Sequence, residues 1–124
     1  MNREGALKVV LALVGVLFVA LLYPMVVFVR QEPAVSMMLS VYVTLGLFLL
    51  LAVRHPAAHR SLIAFTAWSS LAHAAVMGYQ GVRHMIARGE LIGVAVLAVI
   101  GLVLIALAPP KPASVKPRRV VERL

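Results

Sequence analysis

Apolar residues run almost unbroken through four stretches of this chain, at 7–29, 37–53, 62–84 and 91–107. The pattern is continuous rather than alternating, so it predicts helices and not strands. Each stretch is long enough, or nearly so, to cross a hydrocarbon core of about 30 Å, which takes about 20 helical residues. Backbone groups in lipid must be satisfied within the protein, which leaves helices or a closed barrel, and only helices fit this pattern. The expected fold is all-α, a four-helix transmembrane bundle over residues 1–110 followed by a basic tail, 111–124. The connections are short, so consecutive helices are expected to be antiparallel neighbours in up-down-up-down order.

Proline and glycine punctuate the pattern. Pro24, beside an interfacial Tyr23, predicts a kink near the outer end of the first span. Pro33 suits the first turn of the second span. Pro56 after Arg54-His55 marks a short turn before the third. Gly89 is expected to cap the third span, and Glu90 to open the fourth at the positive end of its dipole. Pro109-Pro110 stops the fourth, and the basic tail behind it reads as disordered or surface-lying. The first apolar stretch exceeds the about 7–15 residues of a signal-peptide core and no Ala-x-Ala site closes it, so it is expected to be retained.

Composition narrows the classes. The hydrophobic share is 63% and the mean hydropathy +1.02, against about 45–50% apolar residues in soluble domains. There are no cysteines, which excludes disulfides and thiolate metal sites. The net charge is +8, from 12 Lys and Arg against 4 acids. These cations sit at span ends and in the tail, where they serve orientation and anionic headgroups rather than nucleic acid. Arg3, Lys8, Arg54, Arg60, Lys111, Lys116, Arg118, Arg119 and Arg123 fall on one side, and Arg30, Arg83 and Arg88 on the other. The positive-inside rule then puts both termini in the cytoplasm, in a bacterial inner membrane.

The third span alone carries a polar face. At 100° per residue Thr66, Ser69, Ser70, His73, Gln80 and His84 fall within an arc of about 100°, with Trp68 and Tyr79 on the opposite side. His73 lies near the middle of the span and is the only ionisable side chain deep in any of the four. Ser36, Ser40 and Thr44 give the second span a smaller polar face that could pair with it. Polar side chains in a bilayer turn toward the bundle or a partner. One reading is a site for a small polar ligand, a quinone headgroup or a proton-transfer group. The other is interhelical hydrogen bonding, worth about 0.6 kcal/mol per bond. Ser70, Ala74 and Gly78 add a row of small residues that would let another helix approach closely.

Other constellations are weaker. His55 and His59 are spaced i, i+4, but Pro56 follows the first and no carboxylate lies near, so no metal site is expected. His84 beside Arg83 reads as a helix-end residue. A bis-histidine haem needs a second imidazole at the depth of His73, which only a partner or a second copy could supply. No glutamate lies within a span, and no hydrolase, phosphate-binding or metalloprotease motif occurs.

The segment from Ser61 to Met77, with Ile86 to Gly93, resembles an uncharacterised bacterial family of small four-span membrane proteins, and the likeness extends to Met1–Val10 and Gln31–Leu51. That resemblance implies the topology and no catalytic residues. A more distant likeness, in span count and polar third span, is to DoxX-like membrane proteins, some of which associate with quinone-linked oxidoreductases. The first expectation for function is therefore a non-enzymatic accessory subunit or self-associating unit, a homo-oligomer or part of a larger membrane complex, packed through the third span and holding no cofactor. The alternative is a ligand-binding or quinone-coupled membrane protein using His73, with a small transporter as a weaker third.

Overall fold

A computed structural model describes residues 2–109. The basic tail expected at 111–124 lies outside the described residues. Among them the regular elements are all helical: α1 (Arg3–Ala20), α2 (Leu22–Val27), α3 (Pro33–Ala52), a 3₁₀ turn (Pro56–His59), α4 (Arg60–Val82) and α5 (Glu90–Leu107). Four stretches are long and apolar enough to cross a membrane, Arg3–Val27, Pro33–Ala52, Pro56–Val82 and Glu90–Leu107, so this is a multi-pass membrane protein.

Local chemistry explains the boundaries. The first helix starts four residues before the apolar run because its opening turn is polar: Asn2 accepts from the Gly5 amide at 2.7 Å, and Glu4 pairs with Lys8 at 3.7 Å. Pro24 has no amide to give the Ala20 carbonyl, and the helix breaks at Leu21, separating α1 from α2. α2 is short, and its Met25 carbonyl accepts the Ser36 hydroxyl of α3.

The end of α4 differs from the sequence reading. The helix stops at Val82, and His84 takes a left-handed conformation with φ 55°. The Met85 amide reaches the Gln80 carbonyl at 2.8 Å and the His84 amide the Gly81 carbonyl at 3.1 Å. This is a Schellman cap with histidine where glycine is usual. Gly89, expected to cap this helix, has φ −60° and stands instead before α5 as its N-cap.

The core is a seam of Leu7, Leu11, Val14 and Phe18 on α1, Leu45 and Leu49 on α3, Ile63 and Ala67 on α4, and Ile100 and Leu104 on α5. On α1 the spacing is 4, 3, 4, one stripe of a helix. The remaining faces are apolar and outward: Trp68 is 63% exposed and Tyr79 64%, as side chains facing lipid are.

Packing is uneven. α1 lies along α3 and α4 along α5, the two pairs meet mainly through α1 and α5, and α3 touches α4 sparingly. Glycines allow the close approaches. A Cβ on Gly46 would stand 2.8 Å from the Gly15 carbonyl oxygen and 2.9 Å from the Val19 nitrogen; one on Gly101 would stand 2.8 Å from the Ala67 carbonyl oxygen. At one end, the Arg3 guanidinium donates to the carbonyls of Ala106 at 3.1 Å and Ala108 at 2.8 Å. Arg60 Nε donates to the Pro109 carbonyl at 3.1 Å. Carbonyls at and just beyond the end of α5, where prolines supply no amides, are thus satisfied by two arginines from other elements.

Candidate functional site

Among the described residues, His73 and Tyr42 form the one side-chain hydrogen bond between α3 and α4. His73 is half-buried, and its Nδ1 lies 2.7 Å from the Tyr42 hydroxyl. The Tyr42 ring stands edge-on to His73, with centroids 5.4 Å apart at 79°, and edge-on to Phe18 at 5.2 Å and 88°. Phe18 on α1 is fully buried and fixes the phenol from behind. Between them a phenol and an imidazole can both donate and accept a hydrogen bond.

The rest of the polar stripe turns inward on its own helix. Thr66 is buried and its hydroxyl donates to the Leu62 carbonyl at 2.8 Å; Ser69 donates to the Thr66 carbonyl at 3.3 Å. Ser70 is fully buried and its hydroxyl has no partner among the described residues. Gln80 lies two turns beyond His73, partly exposed near the end of α4. On α3, Ser40 donates to the Met37 carbonyl and Thr44 to the Ser40 carbonyl, and both residues are exposed. Neither reaches the α4 stripe; only Ser36 of that face makes a bond to another helix, and it goes to α2. The small-residue row divides too. Ser70 and Ala74 are buried inside the chain's own fold, while a Cβ on Gly78 would meet only Val94, at 4.0 Å.

Sequence reasoning missed Tyr42. The signal was available: Leu39, Tyr42, Gly46 and Leu49 share one face of α3 at spacings 3, 4, 3. A tyrosine in mid-span on the packing face requires a partner for its hydroxyl.

Where α3 and α4 stand apart, a cavity of about 210 Å³ opens beside the pair. Its walls are Leu17 and Phe18 of α1, Leu21 at the break after it, Met38 and Leu39 of α3, and Gly93, Val96 and Leu97 of α5; Tyr42 and His73 also border it but, bonded to each other, turn almost no polar surface into it. Among the described residues no charged group lines it. Gly93 keeps it open, since a Cβ there would meet only Met77 Cε, at 3.8 Å. Among the described residues no cluster of three or more His, Asp or Glu is placed to hold a metal; His55 precedes the 3₁₀ turn and His59 ends it.

A family model, the family of unknown function DUF6632, matches residues 4–118. The chain belongs to DUF6632. The match takes in nearly the whole of all four spans and both members of the Tyr42–His73 pair. No curated protein and no solved structure matches the chain. DUF6632 membership accordingly assigns no activity, and the cavity geometry carries the functional reading.

Proposed function

We propose that this DUF6632 protein binds a small, uncharged, hydrogen-bonding molecule inside its transmembrane bundle, against Tyr42 and His73. The observation that carries this reading is a single polar pair at 2.7 Å bordering an apolar cavity of about 210 Å³; because the pair turns almost no polar surface into that space, the ligand's polar group binds by sharing or replacing the Tyr42–His73 bond. Ligand sites have this composition: apolar walls and a few polar groups that fix orientation. A quinone headgroup belongs to the chemical class, with carbonyl oxygens that accept from a phenol or an imidazole. In this reading the Tyr42–His73 pair orients the bound molecule through its hydrogen bonds. Haem would still need a second imidazole from a partner.

Self-association through the third span draws less support from the geometry. Ser70 and Ala74 already pack within the chain, which leaves Gly78 as the open position of the row.

Orientation belongs to the same proposal. The four helices run up-down-up-down in a bacterial inner membrane with both termini in the cytoplasm. The excess of Lys and Arg on that side supports it, and so does the meeting of Arg3, Arg60, Ala108 and Pro109 at one end. The basic tail then faces anionic headgroups.

The test is native mass spectrometry of protein extracted gently from its own membranes. A reproducible small adduct, lost from Tyr42→Phe and His73→Phe variants that keep their fold, is the expected result. Wild-type protein free of any adduct, and unable to take up a tailless benzoquinone in lipid nanodiscs, would sink the reading.

A further inference from the structure

The cavity beside His73 adjoins a second depression. A groove of about 380 Å³ lies between α1 and α5, lined by Leu13, Val14, Leu17, Ala95, Val96, Val99 and Ile100. Leu17 and Val96 belong to both walls. From that shared point the groove follows α1 back to Leu13 and α5 onward to Val99, four and three residues away, or about 6 and 4.5 Å at 1.5 Å per residue. Its wall is wholly apolar, and its rims face the lipid: Leu13 is 66% exposed and Val99 59%. Among the described residues, only the Leu17 and Val96 side chains stand between the cavity and this lipid-facing groove, at the contact between the two helix pairs.

We infer that the ligand is a bilayer lipid with a compact uncharged head and an apolar chain, which enters laterally, sets its head against Tyr42–His73 and lays its chain in the α1/α5 groove. This rests on the ligand-binding reading above and gives that site its substrate class and its route. Three observations select this occupant. The cavity contains no charge, which rejects a phospholipid headgroup, since an ion moved there would have no partner. The groove contains no polar side chain, so it suits a hydrocarbon chain and not a second polar group. The two share Leu17 and Val96, so a chain that displaces these side chains reaches from one into the other. Lipid chains are as apolar as leucine, so the groove adds little affinity over the bilayer itself. Its part is to admit the chain while the head is held.

The experiment uses the full chain in lipid nanodiscs and a benzoquinone whose isoprenoid chain carries a diazirine. After illumination, labelled peptides are mapped by mass spectrometry, with a diazirine phosphatidylcholine as the reference for general lipid contact. The expected result is labelling concentrated at Leu13, Ala95 and Val99, competed at least tenfold by excess tailless benzoquinone and lost in His73→Phe. Ala95→Phe, which fills the groove from an exposed position and leaves the cavity untouched, should abolish capture of the tailed probe while tailless quinone still binds. Labelling that depends on His73 but spreads over all four helices like the phosphatidylcholine would overturn the groove and spare the head site. Labelling indifferent to both His73 and the competitor would remove the head site and the groove together.

Discussion

The seams of the bundle are built in two ways. Between α1 and α3, and between α4 and α5, glycines bring backbones together: Gly46 stands under the Gly15 carbonyl, and Gly101 under the Ala67 carbonyl. Between α3 and α4 a tyrosine and a histidine meet tip to tip at 2.7 Å, and beside them the walls leave about 210 Å³ unfilled. Lipid gives no hydrophobic push between helices, so a seam must close by van der Waals contact or by hydrogen bonds. The glycine seams take the first route and leave no room. The Tyr42–His73 seam takes the second, with side chains that hold the helices apart and line the gap.

Substituting Gly46 tests that contrast most severely. A Cβ there would stand 2.8 Å from both the Gly15 oxygen and Phe18 Cβ, and backbone has no rotamer with which to yield. Gly46→Leu is expected to cost at least about 3 kcal/mol, the upper range for overpacking, or to prevent folding. Chemical unfolding in mild detergent measures it, with Gly78→Ala as the contrasting variant. Gly78 has open space about it, and alanine there should be neutral or slightly stabilising. Equal losses from the two would show that the α1/α3 seam does not depend on close backbone approach.

That pair of variants also marks where sequence patterns stop. The four spans were legible because hydropathy over some twenty residues is a one-dimensional property. The tight crossings were not. Gly15, Gly46 and Gly101 are as small as Gly78, and which glycine meets a neighbour depends on how helices rotate about their axes, which apolar faces on all sides leave open. The polar stripe was legible as an angular cluster and its use was not. Thr66 and Ser69 satisfy themselves on their own helix, an option open to any helical Ser or Thr. His73 has no such option and had to find a partner on another helix, so it is the member of the stripe that marks the site. Its partner Tyr42 was hidden within an apolar run.

A smaller effect is expected from Tyr42→Phe. It keeps the ring against Phe18 and deletes the hydroxyl that meets Nδ1. Interhelical hydrogen bonds in bilayers average about 0.6 kcal/mol and reach about 1.7, so stability should fall within that range while ligand capture falls far more. A stability loss with capture unchanged would make the pair a fastening only.

The end of α4 offers a control outside both seams. His84 holds φ 55°, where a Cβ is strained and glycine is not. Changing His84→Gly is expected to stabilise by about 0.5–1 kcal/mol, less the entropy glycine adds to the unfolded chain. Thermal unfolding with binding measured alongside should show a gain in stability and no change in affinity. A change in affinity would mean that the α4–α5 connection is coupled to the cavity.

Ser70 should give the smallest effect, and its sign carries the information. Its hydroxyl is buried without a partner, and an unmade hydrogen bond in the interior costs about 1–3 kcal/mol. Alanine would remove that cost and lose only a few contacts, so Ser70→Ala should be neutral or stabilising by up to about 1 kcal/mol. Thr66, one turn earlier on the same face, is the comparison, because its hydroxyl is satisfied by Leu62. There the same kind of truncation, Thr66→Ala, removes a made bond and a buried methyl and should destabilise. If Ser70→Ala also destabilises, its hydroxyl is bonded in the membrane, and the partner has to come from a water or a ligand, since the described protein groups supply none. In that event the buried polar part of α4 extends one turn below His73, and the seam that looks closed at Ser70 belongs with the open one.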